Sequence, residues 1–172
     1  MSKLIYEVLE AIRGFTDTAL RQQDHRVDDW VVLSNLVNQD GSSVLNTENK
    51  VVLTLAGMEQ QKFVSTYPRE RNDTAFQLVA PPIYLDLLVV FYANFSGREY
   101  SSGLAAISSI IALFQKNPMF NAQGPLHLPQ NMDKLAVELQ TPADGDLNTV
   151  LDRLGVKYRP MACYKLRMLT FS

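Results

Sequence analysis

The side chains best suited to catalysis are one cysteine and two histidines. Nucleophilic catalysis needs an activated Ser or Cys with a base in reach, but Cys163 lies inside an apolar strand pattern that favours a small buried residue. His25 lies beside Asp24 and Asp28 and could act as a base held by a carboxylate, although we favour the interpretation of a solvated helix end. His127 lies in a loop pattern without acidic neighbours. No pair of nucleophile and base emerges.

The acidic residues have structural explanations as well as chemical ones. Asp144 and Asp146 lie near a helix start and Asp152 follows, which is conceivable for a divalent metal, but helix capping explains the first two because anions favour a helix N-terminus. Asp86 lies in an apolar strand, where we expect it to face solvent, a backbone donor or an Arg/Lys on a neighbouring strand. One Cys and two distant His cannot form a four-ligand zinc site, and no glycine-rich phosphate loop is present. We therefore predict no catalytic residue, no metal and no cofactor.

Three amphipathic helices are predicted by apolar residues spaced three and four apart. The first covers residues 4–20 with Ser2 as its N-cap, and Gly14 inside it hints at a bend or a close contact. The third covers residues 144–154 and ends at Gly155.

In the second helix, residues 100–116, small side chains on one side allow close approach of a sheet or a partner. Its expected core stripe consists of Leu104, Ile107, Ile111 and Phe114.

Five strands are predicted at residues 30–37, 50–58, 83–95, 134–139 and 161–171. In the third strand every odd-numbered residue from Ile83 to Phe95 is apolar, so this strand forms the centre of the fold. In the last strand Lys165 and Arg167 face outward. The residues expected to face the core there are Ala162, Tyr164, Leu166 and Met168.

A polar segment at residues 67–73 separates two strand patterns and predicts the tip of a long hairpin. Its charged residues fit a solvated loop or an electrostatic docking arm. The residues that we predict to contact other proteins are Arg69, Glu70, Arg71, Asn94, Lys165 and Arg167.

The order of elements predicts one α+β domain over residues 1–172, with a mixed β-sheet flanked by helices. The 172 residues carry 16 Lys+Arg and 18 Asp+Glu, a net charge of −2 that excludes the basic footprint of a nucleic-acid binder. Charged residues make up 20%, below the usual share of about 25%, which suggests that part of the surface is covered. No signal peptide or membrane span is evident, so we expect a soluble cytoplasmic protein.

Short strings along the chain resemble one family in the same order. They are VVLSNL (31–36), ENKVVLTL (48–55), PPIYLDL (81–87), ANF (93–95), FQKNPMF (114–120), KLAVEL (134–139), LGVKY (154–158) and YKLRML (164–169). Together they resemble the N-terminal domain of the cap, or tail-terminator, proteins of extracellular contractile injection systems, which are phage-tail-like particles. Many members of that family continue past this domain, whereas this sequence ends at Ser172, so the resemblance does not extend to a sheath contact made by such an extension.

This resemblance implies a structural assembly protein and no enzyme. A cap of this family is a hexameric ring that ends the inner tube and joins the last ring of sheath, so the implied partners are other copies of the chain, the tube protein and the sheath protein. The implied fold is that of phage tail terminators. Two alternatives are a baseplate or tube adaptor of the same particle, and a small enzyme or ligand-binding module that uses His25, Asp28 or Asp86.

Overall fold

The computed structural model describes residues 1–62, 69–72, 75–78, 82–130 and 132–171. Within these ranges the chain forms three α-helices, α1 (Leu4–Gln23), α2 (Tyr100–Lys116) and α3 (Asp144–Leu154). The strands are β1 (Val31–Leu33), β2 (Lys50–Gln60), β3 (Arg69–Asn72), β4 (Ala75–Leu78), β5 (Ile83–Asn94), β6 (Met119–Asn121), β7 (Lys134–Gln140) and β8 (Met161–Phe171). None of the described helices is long and apolar enough to cross a membrane.

Six strands form one sheet in the order β1-β2-β5-β8-β7-β6, and β3 pairs with β4 in a separate hairpin. β1 runs parallel to β2, whereas the other recorded pairs are antiparallel. The predicted α+β fold with a mixed sheet and flanking helices is therefore confirmed.

Strand β5 lies in the middle of the sheet and is covered on both faces. Its odd-numbered residues, such as Val89 and Phe91, are fully buried in the main core together with residues of α1 and α2. Its even-numbered residues Val90 and Tyr92 lie in a second, smaller cluster with Val150 of α3. The predicted two-faced strand is confirmed, and the helices divide between the faces.

Helix α1 is attached to the sheet edge by a buried carboxylate. Asp17 accepts hydrogen bonds from the backbone N–H groups of Trp30 at 2.7 Å and of Val31 at 3.1 Å. Arg21 pairs with the same carboxylate at 2.9 Å, so the buried charge is neutralised. The predicted apolar stripe of α1 also faces the core, with Val8 and Ile12 fully buried.

The predicted core stripe of α2 is wrong at two positions. Leu104 and Ile111 are 44% and 37% exposed. The buried residues are Gly103, Ala106, Ile107, Ile110 and Phe114. The helix packs through its glycine because a Cβ at Gly103 would lie 3.0 Å from the side chain of Phe95, which leaves no room for a larger residue.

The first predicted strand is shorter than expected, because after β1 the chain leaves the sheet and Leu36 packs against the second cluster on the opposite face. A short edge strand, β6 (Met119–Asn121), comes just before the loop predicted at residues 121–131 and is an element that the sequence pattern did not predict. The predicted hairpin tip at residues 67–73 is also wrong in part, because Arg69–Asn72 is itself a strand. The remainder of that tip lies outside the described residues.

Strand β8 contains a register shift opposite Leu85 and Leu87. Leu166 and Leu169 are therefore both fully buried in the core, three residues apart. Strict alternation along the strand predicted that Met168 faces the core after Leu166. The extra residue in β8 at the register shift places Leu169 in that inward position instead. The side chain of Met168 lies outside the described part of the chain.

Helix α1 continues through Gly14, from Leu4 to Gln23. The expected close contact is absent from the described part of the chain, because a Cβ added at Gly14 would meet no atom from outside its own helix backbone within 4 Å. A glycine in a helix costs up to about 1 kcal/mol relative to alanine. The fold alone gives no reason for a glycine here.

We expect Gly14→Ala to raise the free energy of unfolding by about 0.5–1 kcal/mol, measured by urea denaturation. Gly155→Ala is the matched control, because Gly155 has a φ of 68° and its added Cβ would lie 3.3 Å from Val37. That control should lower the stability. A loss of stability in Gly14→Ala would contradict a continuous α1 with open space beside Gly14.

Alkaline pH should destabilise the fold through Tyr164. Burial raises the pKa of this phenol from 10.0 to about 12, so its contribution to stability is present below pH 10.0 and is lost as the pH rises toward 12. In Tyr164→Phe the urea midpoint should fall less steeply over that pH range. Burial also raises the pKa values of Tyr92 and Cys163. Both residues are present in the unsubstituted chain and in Tyr164→Phe, so they do not contribute to the difference between the two curves. Parallel curves would show that Tyr164 does not titrate this way.

Candidate functional site

Two of the predicted contact residues, Lys165 and Arg167, lie on the sheet face opposite α1 and α2. Strand pairing sets Lys165 opposite Glu138 of β7, and Glu59 of β2 opposite Asp86 of β5. We call these five residues, Glu59, Asp86, Glu138, Lys165 and Arg167, the charged ladder. It crosses four strands on one face of the sheet.

The acidic side chains of the charged ladder neutralise its cations. Arg167 donates to Glu138 at 3.1 Å and its Nε lies 3.6 Å from the carboxylate of Asp86. Lys165 lies 3.5 Å from Glu59. Gln61 also donates to Asp86. Three carboxylates thus face two cations, so this surface is not a basic patch.

Asp86 is the buried member of the charged ladder, with 1% of its side chain exposed. Of the three surroundings expected for Asp86, namely solvent, a backbone donor or an Arg/Lys on a neighbouring strand, the structure shows the third, because Arg167 belongs to β8. The hydrogen bond to Glu138, followed by the charges of Glu138 and Asp86, raises the pKa of Arg167. The guanidinium therefore remains charged and holds two strands together through their side chains.

A cleft of about 500 Å³ lies between the charged ladder and the start of α3. Arg153 of α3 reaches across it, and its Nη1 lies 3.3 Å from the position that a Cβ on Gly57 would occupy. The strand register shifts beside Gly57, so the missing side chain makes room for the guanidinium. Neither Gly57 nor Arg153 is among the residues predicted from the sequence, although a glycine within a strand pattern is a recognisable signal.

The cleft does not assemble a catalytic set. Cys163 lines it, but burial raises the pKa of its thiol, which disfavours the nucleophilic thiolate. His25 and His127 are exposed and do not line the cleft. Asp28, the expected partner of His25, instead pairs with Arg26 at 3.3 Å and Lys50 at 3.7 Å.

The acidic start of α3 also remains structural. Asp144 and Asp146 occupy its first turn, where their charges favour the helix dipole. The predicted capping by an acidic side chain is wrong, because the N-cap is Ala143 and no side chain forms a capping hydrogen bond. Within the described ranges, no group of three or more His, Cys, Asp or Glu side chains could hold a metal ion.

Of the other predicted contact residues, Asn94 lies at the end of β5 and outside the charged ladder. Asn94 donates through its side chain to the carbonyl of Thr47 at 2.8 Å and so holds a loop beside the end of β5. Arg69, Glu70 and Arg71 belong to β3 of the separate hairpin. Among the predicted contact residues whose side chains the structure describes, Lys165 and Arg167 are the two that lie together.

Removing the cation beside Asp86 should destabilise the fold. We expect Arg167→Gln to lower the free energy of unfolding by about 1–3 kcal/mol, because a buried carboxylate loses a charged partner. Glu138→Gln is the control, since its side chain is 46% exposed, and it should cost about 0–1 kcal/mol. Urea denaturation at neutral pH measures both. Equal losses would show that Asp86 does not depend on Arg167.

Similarity to known proteins extends over nearly the whole chain. A family model described as the Pvc16 N-terminal domain matches residues 7–172. No curated protein matches the chain significantly.

Among solved structures, the fold is similar to a chain described as the PVC sheath/tube terminator in the extended state, from an extracellular contractile injection system. The TM-score is 0.60 and the sequence identity 11%. The match covers 100% of this chain and 58% of the other, so this chain spans little more than half the length of that protein.

Proposed function

Since the chain belongs to the Pvc16 N-terminal domain family, we propose that it is a structural component of an extracellular contractile injection system, in which it terminates the tube and the sheath. The observation that carries this proposal is the family match over residues 7–172. The similarity in fold to a sheath/tube terminator over the full length of this chain supports it.

The surface chemistry supports an assembly role over an enzymatic one. The cleft holds charges of both signs without a nucleophile and base in position, and its cysteine is buried. The low share of charged residues, 20% of the chain, suits a domain whose faces are covered in an assembly, because interface centres are poor in charge. We infer that the chain acts without a catalytic residue or a cofactor.

In this proposal the domain, residues 1–172, forms a hexameric ring that binds the tube protein and the sheath protein. It assembles in the cytoplasm and then remains part of the particle. The contact residues that we propose are the six named from the sequence. Lys165 and Arg167 support this role because 28% and 37% of their side chains are exposed, so both can reach a partner while they pair within the charged ladder.

Loss of the gene should give particles with tubes or sheaths of abnormal length, because nothing stops their growth or joins their ends. Electron microscopy of particles from the deletion strain measures this. Reintroducing the unsubstituted gene is the control and should restore the length. Particles of normal length with sheath attached, together with a protein that native mass measurement finds only as a monomer, would refute the proposal.

The position on the particle separates a terminator from a baseplate or tube adaptor. A label fused to this chain should appear at the end of the particle opposite the baseplate. A label at the baseplate would favour the adaptor and would contradict termination.

A further inference from the structure

Helix α2 presents an uncharged face to solvent. No residue between Tyr100 and Gln115 is charged. Seven residues of α2 between positions 101 and 115 are exposed, and their positions repeat every seven residues. They are Ser101, Leu104, Ala105, Ser108, Ile111, Ala112 and Gln115. We call these seven residues the α2 seam. A seven-residue repeat is the spacing with which one α-helix packs along another.

A groove of about 700 Å³ runs along α1. We call it the α1 groove and define it by Ala11, Gly14, Phe15, Thr18, Leu113 and Leu126. Small residues (Ala11, Gly14, Thr18 and Ala19) lie along its α1 side, between larger side chains that include Glu10 and Arg13. A Cβ added at Gly14 would meet no atom from outside its own helix backbone within 4 Å. A partner helix can approach closely at these small residues.

The α2 seam and the α1 groove match in length and in charge. The seam is about 21 Å long from Ser101 to Gln115, and the groove is about 22 Å long from Glu7 to Gln22, at roughly 1.5 Å per residue. Lys116 follows the seam and Glu7 lies at the end of the groove; both are exposed. Neither forms an ion pair within the described part of the chain.

We propose that the α2 seam of one copy of this chain lies in the α1 groove of a second copy, with the two helices antiparallel. In this orientation Lys116 of one copy lies beside Glu7 of the other, so that the two can form an ion pair. The two helix dipoles are antiparallel, which is the favourable arrangement for neighbouring helices. Counting along both helices from that pair places Ala105 beside Thr18 and Ala112 beside Ala11. Gly14 then has a reason in the contact between copies, since a side chain there would enter the groove.

The contact joins two different surfaces, which is what a closed ring of identical subunits requires. The number of copies in such a ring rests on the proposed function. The pairing of the α2 seam with the α1 groove does not depend on it. A single helix pair buries less than the roughly 1,200 Å² of a stable complex. We therefore expect a weak contact in solution that strengthens where several copies bind one partner.

Crosslinking between singly substituted full-length chains tests the pairing. Chains with Thr18→Cys are mixed with chains with Ala105→Cys at the highest concentration that both tolerate, and a short thiol-specific crosslinker is added. The natural cysteine, Cys163, is only 5% exposed, and the unsubstituted chain measures its background. We expect a dimer of crosslinked chains as the main product of the mixture.

Chains with Ala112→Cys are the matched control. In the proposed register this residue lies about 10 Å from Thr18 along the helix, so its mixture with Thr18→Cys should give little dimer. A dimer from this control in place of the expected one would refute the orientation. A dimer from Ala105→Cys alone, in greater yield than from the mixture, would refute the α1 groove as the site. Absence of crosslinking in every mixture would refute the contact.

Self-association measured by analytical ultracentrifugation gives a second test. Leu104→Glu and Ile111→Glu should each weaken it by about tenfold or more, because a charge enters the apolar seam. Leu45→Glu places the same charge at an exposed residue outside both surfaces and should change nothing. If rings form but the crosslink does not, only this inference fails. If the crosslink forms but particles lacking the chain have normal length, only the proposed function fails.

Discussion

The fold depends on covering both faces of β5. This strand lies at the centre of the six-stranded sheet, and residues such as Phe91 and Val90 are fully buried on opposite faces. A strand buried on both sides needs a layer on each side, because unpaired apolar surface would remain in water. α1 and α2 supply one layer and α3 supplies part of the other. The charged ladder lies on the same face as α3 and is partly exposed to solvent.

The charged ladder explains how an acid is tolerated in the central strand. Asp86 is almost completely buried, and the guanidinium of Arg167 and the amide of Gln61 both contact its carboxylate. Burial of a carboxylate is costly unless a charge or hydrogen bonds compensate for it. The same pairing determines the charge of this sheet face. Its exposed side chains carry charges of both signs, so the face is not a basic patch.

A long uncharged stretch lies on helix α2, which is partly exposed. Helix α2 carries no charge over 16 consecutive residues from Tyr100 to Gln115, yet part of it is exposed. Interface centres are poor in charge because burying an unpaired charge is unfavourable. This helix, the open groove along α1 and the family's association with contractile particles are therefore mutually consistent.

The sequence by itself determined what depends on local periodicity and chain chemistry. Neighbours within a few residues determine the stripe of α1, the end of α3 at Gly155 and the two faces of β5. The family resemblance follows from the order of short strings along the chain. Only the tertiary structure decided which of two adjacent stripes of α2 is buried, because both satisfy helical spacing and the choice depends on the close contact of Gly103 with Phe95. The capping of β1 by Asp17, the added edge strand β6 and the shift that buries Leu169 likewise depend on residues distant in sequence, whose relative positions no local pattern encodes.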